Sequence, residues 1–257
     1  MRPSPLLFLL LLSAAAVPAE LRISLCECDS PPFVEFDVRG NRPRGGLIKD
    51  IGDQVARQMG YTPRYVVLSR KRMDLALTRG DTDLNCFFNP GWTALADQLE
   101  WTEETVPQIE RLLMPAEAAR RVHGLDDLHG LRLGLIHGFH YPTLEPLIAA
   151  GQIVPVYERD HLSNFRLLER GAVDAVVSAD LQIAHYLHGR DKGAPVAVAD
   201  FVLSSTPTYC VVPKASPIDA AAVQRAVHTL REQGVFDRLL NQYRGPHLRA
   251  PARTESP

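Results

Sequence analysis

Apolar and polar residues alternate with two different periods in the first part of the chain. Residues 21–28 (LRISLCEC) alternate one by one, which predicts a strand with one buried face. Between 48 and 59 the apolar residues recur at helical spacing, and Gly60 ends that run. The next segments predict a strand, a short helix and a strand, at 65–68, 73–78 and 82–88. This alternation is typical of a parallel sheet covered by helices, so the predicted fold class is α/β.

The same alternation returns further along the chain. Strands are predicted at 131–136, 153–157 and 172–178, and helices at 141–150, 162–170 and 180–188. The segments 77–88 (LTRGDTDLNCFF) and 168–179 (LERGAVDAVVSA) share a pattern, in which Arg-Gly ends a helix and an Asp precedes an apolar strand. The chain is therefore predicted to hold two similar α/β units, at about 20–110 and about 116–205.

Two short apolar runs connect the predicted units. Residues 111–115 (RLLMP) and 208–213 (TYCVVP) each predict a short hinge strand. A helix pair follows, at 218–233 and 235–243. Each lobe is expected to hold a mostly parallel sheet flanked by helices, and ligands of open α/β sheets bind beyond the carboxyl ends of the strands. The predicted site is therefore the cleft between two lobes, residues 20–112 plus 208–245 and residues 113–207.

Both ends of the chain carry segments outside the predicted lobes. Met1 and Arg2 give a positive start, residues 6–17 are apolar but too short to span a bilayer comfortably, and small residues lead to Ala19. Residues 1–19 are therefore predicted to be a signal peptide cleaved near Ala19, and the mature protein to be periplasmic. An uncleaved anchor or a buried helix is the alternative. Residues 246–257 are rich in Pro and Arg and are predicted to be disordered.

Composition and charge narrow the function classes. The chain has 257 residues, of which 46% are hydrophobic, and its formal net charge is -2. This charge gives no electrostatic case for binding nucleic acid or an anionic membrane. The motifs Gly-x-Ser-x-Gly, Gly-x-x-x-x-Gly-Lys and His-Glu-x-x-His do not occur. The sequence thus indicates no cofactor and no catalytic residue.

Four cysteines suit an oxidising compartment, namely Cys26, Cys28, Cys86 and Cys210. Three pairings exist, and the sequence does not choose among them. A Cys26–Cys28 bond is expected to be strained, so a bridge from this pair to Cys86 or Cys210 is favoured. Free thiols are an alternative, and so is a Cys-x-Cys metal site. His185 and His188 share a helix face, but no further ligands accompany them, and no metal is predicted.

Several motifs, in order, resemble a known family. They are PPF at 31–33, GGLIKDIGDQVARQMG at 45–60, RGDTDL at 79–84, LHGLRLGLIHG at 128–138, RGAVDAVV at 170–177 and the segment 223–243. Together they resemble the bacterial periplasmic solute-binding proteins of the amino-acid type (family 3), the receptors of ABC importers. The resemblance implies a two-lobed type II periplasmic-binding fold and a small-molecule ligand. It also implies a membrane ABC permease as partner and a monomer.

The resemblance further implies ligand contacts from loops of both units. The implied positions are Glu27, Phe33, Arg70, Phe87, Phe88 and Asn89 in the first unit and Phe139, His140, Tyr141 and Asp180 in the second. Phe33 suits core packing equally well, and Arg70 suits a solvated basic turn. The turn from Gly138 to Tyr141 is predicted to open a helix whose free N–H groups suit a carboxylate or another anion. His140 is equally typical of a surface position.

The chain departs from the family where charged ligand clamps are expected. The family's arginine after the third strand, which clamps the ligand's α-carboxylate, falls on Leu95. Its aspartate, which takes the α-ammonium group, falls on Ala179, with Asp180 one residue later and suited to cap the next helix. Trp92 stands near the start of the clamp segment, beside Phe87 and Phe88. A pocket for a ring-bearing ligand is therefore predicted, with an anionic group met by Arg70 or the 138–141 turn.

Three functions fit this resemblance. The first is a non-catalytic receptor that closes on its ligand and docks on a permease. The second is a lyase on the same scaffold, because exported cyclohexadienyl dehydratases look like these receptors; Glu27 is then the candidate acid. The third is a protein that senses a ligand and acts on a receptor in trans.

Overall fold

The computed structural model describes residues 19–39, 42–188 and 195–244. The strands are β1 Glu20–Cys26, β2 Glu35–Phe36, β3 Pro43–Gly45, β4 Thr62–Leu68, β5 Asn85–Phe88, β6 Leu99–Pro115, β7 Arg132–Ile136, β8 Val154–Glu158, β9 Ala175–Ala179 and β10 Val196–Pro213. The helices are α1 Leu47–Gln58, α2 Arg70–Arg79, α3 Ala116–Ala119, α4 Glu145–Ala149, α5 His161–Glu169, α6 Asp180–Leu187, α7 Ala220–Glu232 and α8 Val235–Arg244. The predicted signal peptide, except Ala19, and the predicted disordered tail lie outside the described residues.

A six-stranded sheet runs through the molecule in the order β5-β10-β6-β9-β7-β8. Strand β7 pairs in parallel with β8 and β9, whereas β6 and β10 pair antiparallel with their neighbours. Strands β1 and β4 form a separate parallel pair, and the bridge from Ile23 to Leu84 joins β1 to the chain that enters β5. We call the part built on β1–β5, α1, α2, α7 and α8 lobe 1, and the part built on β7–β9 and α3–α6 lobe 2.

The segments that connect the lobes are long strands. The sequence predicts two short hinge strands, but β6 extends over 17 residues and β10 over 18, and they pair along most of their length. The predicted runs 111–115 and 208–213 are the carboxyl-terminal ends of β6 and β10. The first part of β6 was missed because the glutamates and Pro107 in 100–107 break the apolar alternation that marks a strand.

The internal repeat in the sequence has a structural cause. In lobe 1 the backbone N–H and the Nε of Arg22 each donate to Asp83 at 2.9 Å. In lobe 2 the same groups of Arg132 donate to Asp174 at 2.7 and 3.1 Å. Each guanidinium also donates to the carbonyl of the repeat's glycine. Those glycines have φ of 69° and 67°, the left-handed conformation that favours glycine, so Arg-Gly-x-x-Asp links a helix end to the start of a strand in both lobes.

The hydrophobic core divides between the lobes but is continuous at one point. One cluster joins β1 and α1 to α7 and α8, and two others lie on the faces of the lobe 2 sheet. Ala179 and Leu181, at the start of α6, belong to the lobe 1 cluster together with Phe33 and Val106. Lobe 2 therefore packs directly on lobe 1 where β9 passes into α6.

The cysteines pair differently from the expectation. Cys26 bonds Cys28, and Cys86 bonds Cys210, so the favoured bridge between these two sets is wrong. The reason is the chain path: Cys26 is the last residue of β1 and Cys28 lies in the turn that follows, so the pair does not continue one extended strand. The second disulfide ties β5 to β10, which are adjacent in the sheet.

Candidate functional site

The loop that follows β1 brings a carboxylate to the border between the lobes. Asp29 accepts a hydrogen bond from the backbone N–H of Cys26 at 3.1 Å. Burial raises the pKa of Asp29 to about 6, although the hydrogen bond from Cys26 opposes that rise. Glu27, in the same turn, is exposed, and its backbone N–H donates to Leu68 in β4. The sequence singled out Glu27, but the carboxyl with the perturbed environment is that of Asp29.

Four aromatic side chains assemble at the end of β5, and we call this set the aromatic wall: Phe33, Phe87, Phe88 and Trp92. The Phe87 ring lies 4.9 Å from that of Phe33 and 6.3 Å from that of Trp92, between centroids. Trp92 also meets the edge of Phe88 at 6.4 Å. Phe87 has a φ of 65°, an uncommon conformation for a bulky residue, and this turns the chain at the end of the strand. The structure thus brings together the aromatic residues that the sequence grouped.

Asn89 and Arg70 fix the edges of the aromatic wall. The Asn89 side chain donates to the carbonyl of Pro207 at 2.8 Å and accepts from the N–H of Gly91 at 2.7 Å, so it ties the Trp92 turn to β10. The Arg70 guanidinium donates to the carbonyl of Trp92 at 2.6 Å and lies 5.8 Å from the centre of the Phe88 ring. The positive charge of Arg70 therefore lies beside the aromatic wall. Leu95, in the segment that follows Trp92, carries no charge.

A chain of hydrogen bonds links the core of lobe 2 to the loop after β1. The Gln182 side chain donates to the hydroxyl of Ser30 at 2.8 Å and accepts from the hydroxyl of Ser178 at 3.2 Å. Ser178 also lies 2.9 Å from Nδ1 of His161. Because the one hydroxyl proton of Ser178 goes to Gln182, Nδ1 of His161 donates to Ser178. Burial lowers the pKa of His161 to about 4, so the ring is neutral at pH 7.

The turn at 137–141 does not open a helix, contrary to the expectation. Helix α4 begins at Glu145 and has five residues, so the predicted anion site on free N–H groups near Gly138 is absent from this turn. Phe139 is 55% exposed, and the His140 side chain is 92% exposed with Nδ1 3.7 Å from Glu145. The Tyr141 ring points inward, because its hydroxyl accepts the N–H of Ile136 at 2.9 Å in the core of lobe 2.

Asp180 is buried behind the border between the lobes. It is the first residue of α6, one position after Ala179 at the N-cap, so it does not occupy the cap position that was expected. Its carboxylate lies 3.6 Å from Nε of Arg244 in α8, and Arg111 adds a second buried positive charge. Burial raises the pKa of Asp180, and the two arginines oppose that rise. This carboxylate is used inside the protein rather than on the wall.

A second carboxylate occupies the place next to Ala179. Antiparallel pairing sets Glu110 of β6 opposite Ala179 of β9, so both side chains project from the same face of the sheet, about 5 Å apart. Glu110 accepts a hydrogen bond from Ser204 of β10 at 2.6 Å. Burial raises the pKa of Glu110. Sequence reasoning missed this residue because only the sheet register shows that it neighbours position 179.

The described residues include neither a group of metal-ligating side chains nor a membrane-spanning helix. They contain no group of three or more His, Cys, Asp and Glu side chains arranged to hold a metal, and this includes His185 and His188. Within the same ranges, no helix is both long enough and apolar enough to cross a bilayer.

Comparisons with known proteins identify the fold. No family model and no curated protein matches the chain by sequence. The structure is similar to the probable amino-acid ABC transporter extracellular-binding protein ytmK from Bacillus subtilis, with a TM-score of 0.72, 13% identity and coverage of 90% of this chain and 100% of that one. It is also similar to the GluR0 ligand-binding core in complex with L-glutamate, with a TM-score of 0.70, 17% identity and coverage of 90% and 100%.

A third similar structure is an ancestral cationic amino acid solute-binding protein, AncCDT-1, with a TM-score of 0.71, 17% identity and coverage of 88% of this chain and 95% of that chain. Because all three identities are low, these matches define the fold. The chain has the two-lobed type II periplasmic-binding fold that the motif order predicted, over nearly its whole described length.

Proposed function

We propose that the protein is an extracytoplasmic, non-catalytic solute-binding receptor, which captures a small ring-bearing organic ligand between its lobes for an ABC importer. The observation that carries the proposal is the aromatic wall at the carboxyl end of β5, beside the Ser30–Gln182 hydrogen bond that joins the lobes. Phe87 and Trp92, the partly exposed members of the wall, stack on a ring of the ligand, and lobe 2 closes over it. The two-lobed fold supports a mechanism in which closure produces the form that a permease recognises.

The charges beside the wall suit a ligand that carries an anionic group. Burying a carboxylate without a partner costs several kcal/mol, so the site needs a cation once Leu95 has replaced the arginine clamp. The side chain of Arg70 is 45% exposed and holds Asp74 at 3.1 Å. A bound carboxylate can therefore take over part of its hydrogen bonding. The exposed turn with Phe139 and His140 gives lobe 2 a second, weaker contact.

Glu110 adds a place for a donor group on the same ligand. Its carboxylate stands beside position 179, already desolvated and hydrogen-bonded by Ser204. An amino or hydroxyl group at that point would restore the partner that a desolvated carboxylate needs. The proposed ligand is thus an aromatic or partly apolar molecule with an anionic end toward Arg70 and a donor end toward Glu110.

A thermal-shift screen of the mature chain, residues 20–257, tests the proposal. The panel holds amino acids, aromatic acids, amines, opines, sugars and prephenate. Saturation at a hundred times the dissociation constant adds about 2.7 kcal/mol of stability, which is readily measured. We expect shifts from ring-bearing compounds, above all those with a carboxylate, and none from plain aliphatic amino acids. A strong shift with an aliphatic α-amino acid alone would contradict the aromatic part of the proposal.

Matched variants then locate the site. Trp92→Ala and Arg70→Gln are expected to weaken binding of each hit by at least tenfold, since they remove the ring partner and the cation. Tyr61→Ala is the control, because Tyr61 precedes β4 at the opposite, amino edge of the sheet. Binding that is unchanged in Trp92→Ala and Arg70→Gln would place the ligand elsewhere.

One observation favours a lyase as the second candidate. With a pKa of about 6, the Asp29 carboxyl keeps a proton under mildly acidic conditions, as a general acid for a leaving hydroxyl must. Product analysis of the same panel separates the two functions. A compound that is converted by the wild type and only bound by Asp29→Asn would favour the lyase. Binding without conversion by either form supports the receptor.

A further inference from the structure

The two disulfides lie in contrasting environments. The Cys86–Cys210 bond joins β5 to β10, and its cysteines are 2% and 0% exposed. The Cys26–Cys28 bond lies in the turn after β1, where Cys26 is 7% exposed and Cys28 is open to solvent. A thiol can therefore reach the sulfur of Cys28 without unfolding the protein, whereas the sulfurs of the other bond are enclosed in the core.

The two bonds also differ in what they restrain. Cys86 and Cys210 are 124 residues apart, so their bond removes a large part of the freedom of the unfolded chain. Cys26 and Cys28 are two residues apart and enclose only Glu27, so their bond restricts the unfolded chain little. Because strand β1 is held along its length by β4, reduction of the Cys26–Cys28 bond leaves the strand in place.

A local hydrogen bond favours one sulfur of the Cys26–Cys28 bond as the leaving group. The backbone N–H of Cys28 points at Sγ of Cys26 at 3.2 Å. A thiolate that attacks the accessible Sγ of Cys28 would expel Cys26 as a thiolate, and this N–H group stabilises the leaving sulfur. A second small thiolate then attacks the mixed disulfide at the sulfur of the first small thiol, and Cys28 leaves as a thiolate. In sum, two small thiols are oxidised to their disulfide, the protein disulfide is reduced to two thiols, and the two protons pass to Cys26 and Cys28.

We propose that Cys26–Cys28 is a thiol–disulfide exchange site for low-molecular-weight thiols, in which Cys28 is the sulfur attacked and Cys26 the leaving group. The site lies on the same turn as Ser30, two residues from Cys28, so its redox state acts on the loop that contacts Gln182. The proposal is independent of which ligand the cleft takes.

Alkylation and mass spectrometry test the proposal on the unmodified mature chain. The folded protein is equilibrated with mixtures of reduced and oxidised glutathione, quenched with an alkylating reagent and analysed as intact protein and as peptides. We expect a plateau at two alkyl groups, both on Cys26 and Cys28, over at least a tenfold range of glutathione ratio in which Cys86–Cys210 stays intact. Reduction of both bonds together, or of Cys86–Cys210 first, would overturn the proposal.

Single variants test the assigned direction. In Cys26→Ser the remaining Cys28 is expected to form a mixed disulfide with oxidised glutathione at least tenfold faster than Cys26 does in Cys28→Ser. Equal rates, or the reverse order, would refute the roles assigned to the two sulfurs. The double variant Cys86→Ala with Cys210→Ala is the matched control, and the glutathione ratio that half-reduces Cys26–Cys28 should be unchanged in it.

Discussion

The side-chain amide of Gln182 donates a 2.8 Å hydrogen bond to the hydroxyl of Ser30, and this contact joins helix α6 of lobe 2 to the loop after β1 in lobe 1. The bond is backed by Ser178 and His161, which hold the Gln182 side chain in place from within lobe 2. The approach of the two lobes is therefore linked to a partly buried histidine as well as to the fit of apolar surfaces.

Removal of the interlobe hydrogen bond should shift the protein toward an open form. A hydrogen bond of this kind contributes about 1 kcal/mol, so Gln182→Ala is expected to change the ratio of closed to open molecules about fivefold. Small-angle X-ray scattering should then show a larger radius of gyration. Gln152→Ala, at an exposed position of lobe 2, should leave the radius unchanged. Identical scattering from Gln182→Ala and wild type would show that the contact does not hold the lobes together.

Acid should weaken the fold through His161. Its pKa in the folded protein, about 4, lies below the ordinary value of 6.5, so the unfolded chain takes up a proton first as the pH falls. The stabilisation is fully present above pH 6.5 and is lost between pH 6.5 and 4, with roughly 2 kcal/mol lost between pH 7 and pH 5.

Urea unfolding at pH 7 and pH 5 measures this loss. His161→Gln, which cannot take up a proton but can still donate to Ser178, should lose about 2 kcal/mol less than the wild type over the same pH change. His140→Gln alters a side chain that is 92% exposed and should keep the wild-type pH dependence. If both variants behave alike, the buried ring is not the source of the acid sensitivity.

At position 87, glycine should give a more stable protein than alanine, which is the reverse of the usual order. A residue with a Cβ in the left-handed region is strained by about 1 kcal/mol, and glycine is not. Phe87→Gly is therefore expected to be more stable than Phe87→Ala by about 1 kcal/mol in chemical denaturation. At the neighbouring strand residue Phe88 the usual order should hold, with Phe88→Ala more stable than Phe88→Gly. An alanine advantage at both positions would mean that Phe87 does not adopt the left-handed conformation in solution.

Substitution of Asp180 should lower the free energy of unfolding, because its carboxylate lies among buried positive charges behind the border between the lobes. Asp180→Asn leaves Arg111 and Arg244 buried without this carboxylate, which is expected to cost about 3 kcal/mol of unfolding free energy. Glu117→Gln breaks an exposed ion pair with Arg120 and should cost less than about 1 kcal/mol. Chemical denaturation of the two variants and the wild type compares these values. A loss below 1 kcal/mol for Asp180→Asn would show that solvent reaches the cluster.

Much of the fold could be predicted from the order of residues, because local patterns encode local structure. The helix at 48–59 is confirmed as Leu47–Gln58, and the last two helices lie within two residues of their predicted bounds. The repeat of Arg-Gly and Asp also predicted two similar units, since each Asp binds an arginine at the start of a nearby strand. The aromatic wall could be grouped from the sequence for the same reason, because Phe87 and Phe88 end one strand and Trp92 follows it.

The tertiary structure alone decided the relations that depend on register and long-range approach. The Cys86–Cys210 bond, the placement of Glu110 beside Ala179 and the Ser30–Gln182 bond join segments whose side chains meet only when strands align and lobes close. The inward turn of Tyr141 and the burial of Asp180 against Arg244 belong to the same class. Periodicity along the chain specifies which face of an element is apolar. It does not specify which residue of another element lies opposite, and that second relation decides which charges lie near the aromatic wall.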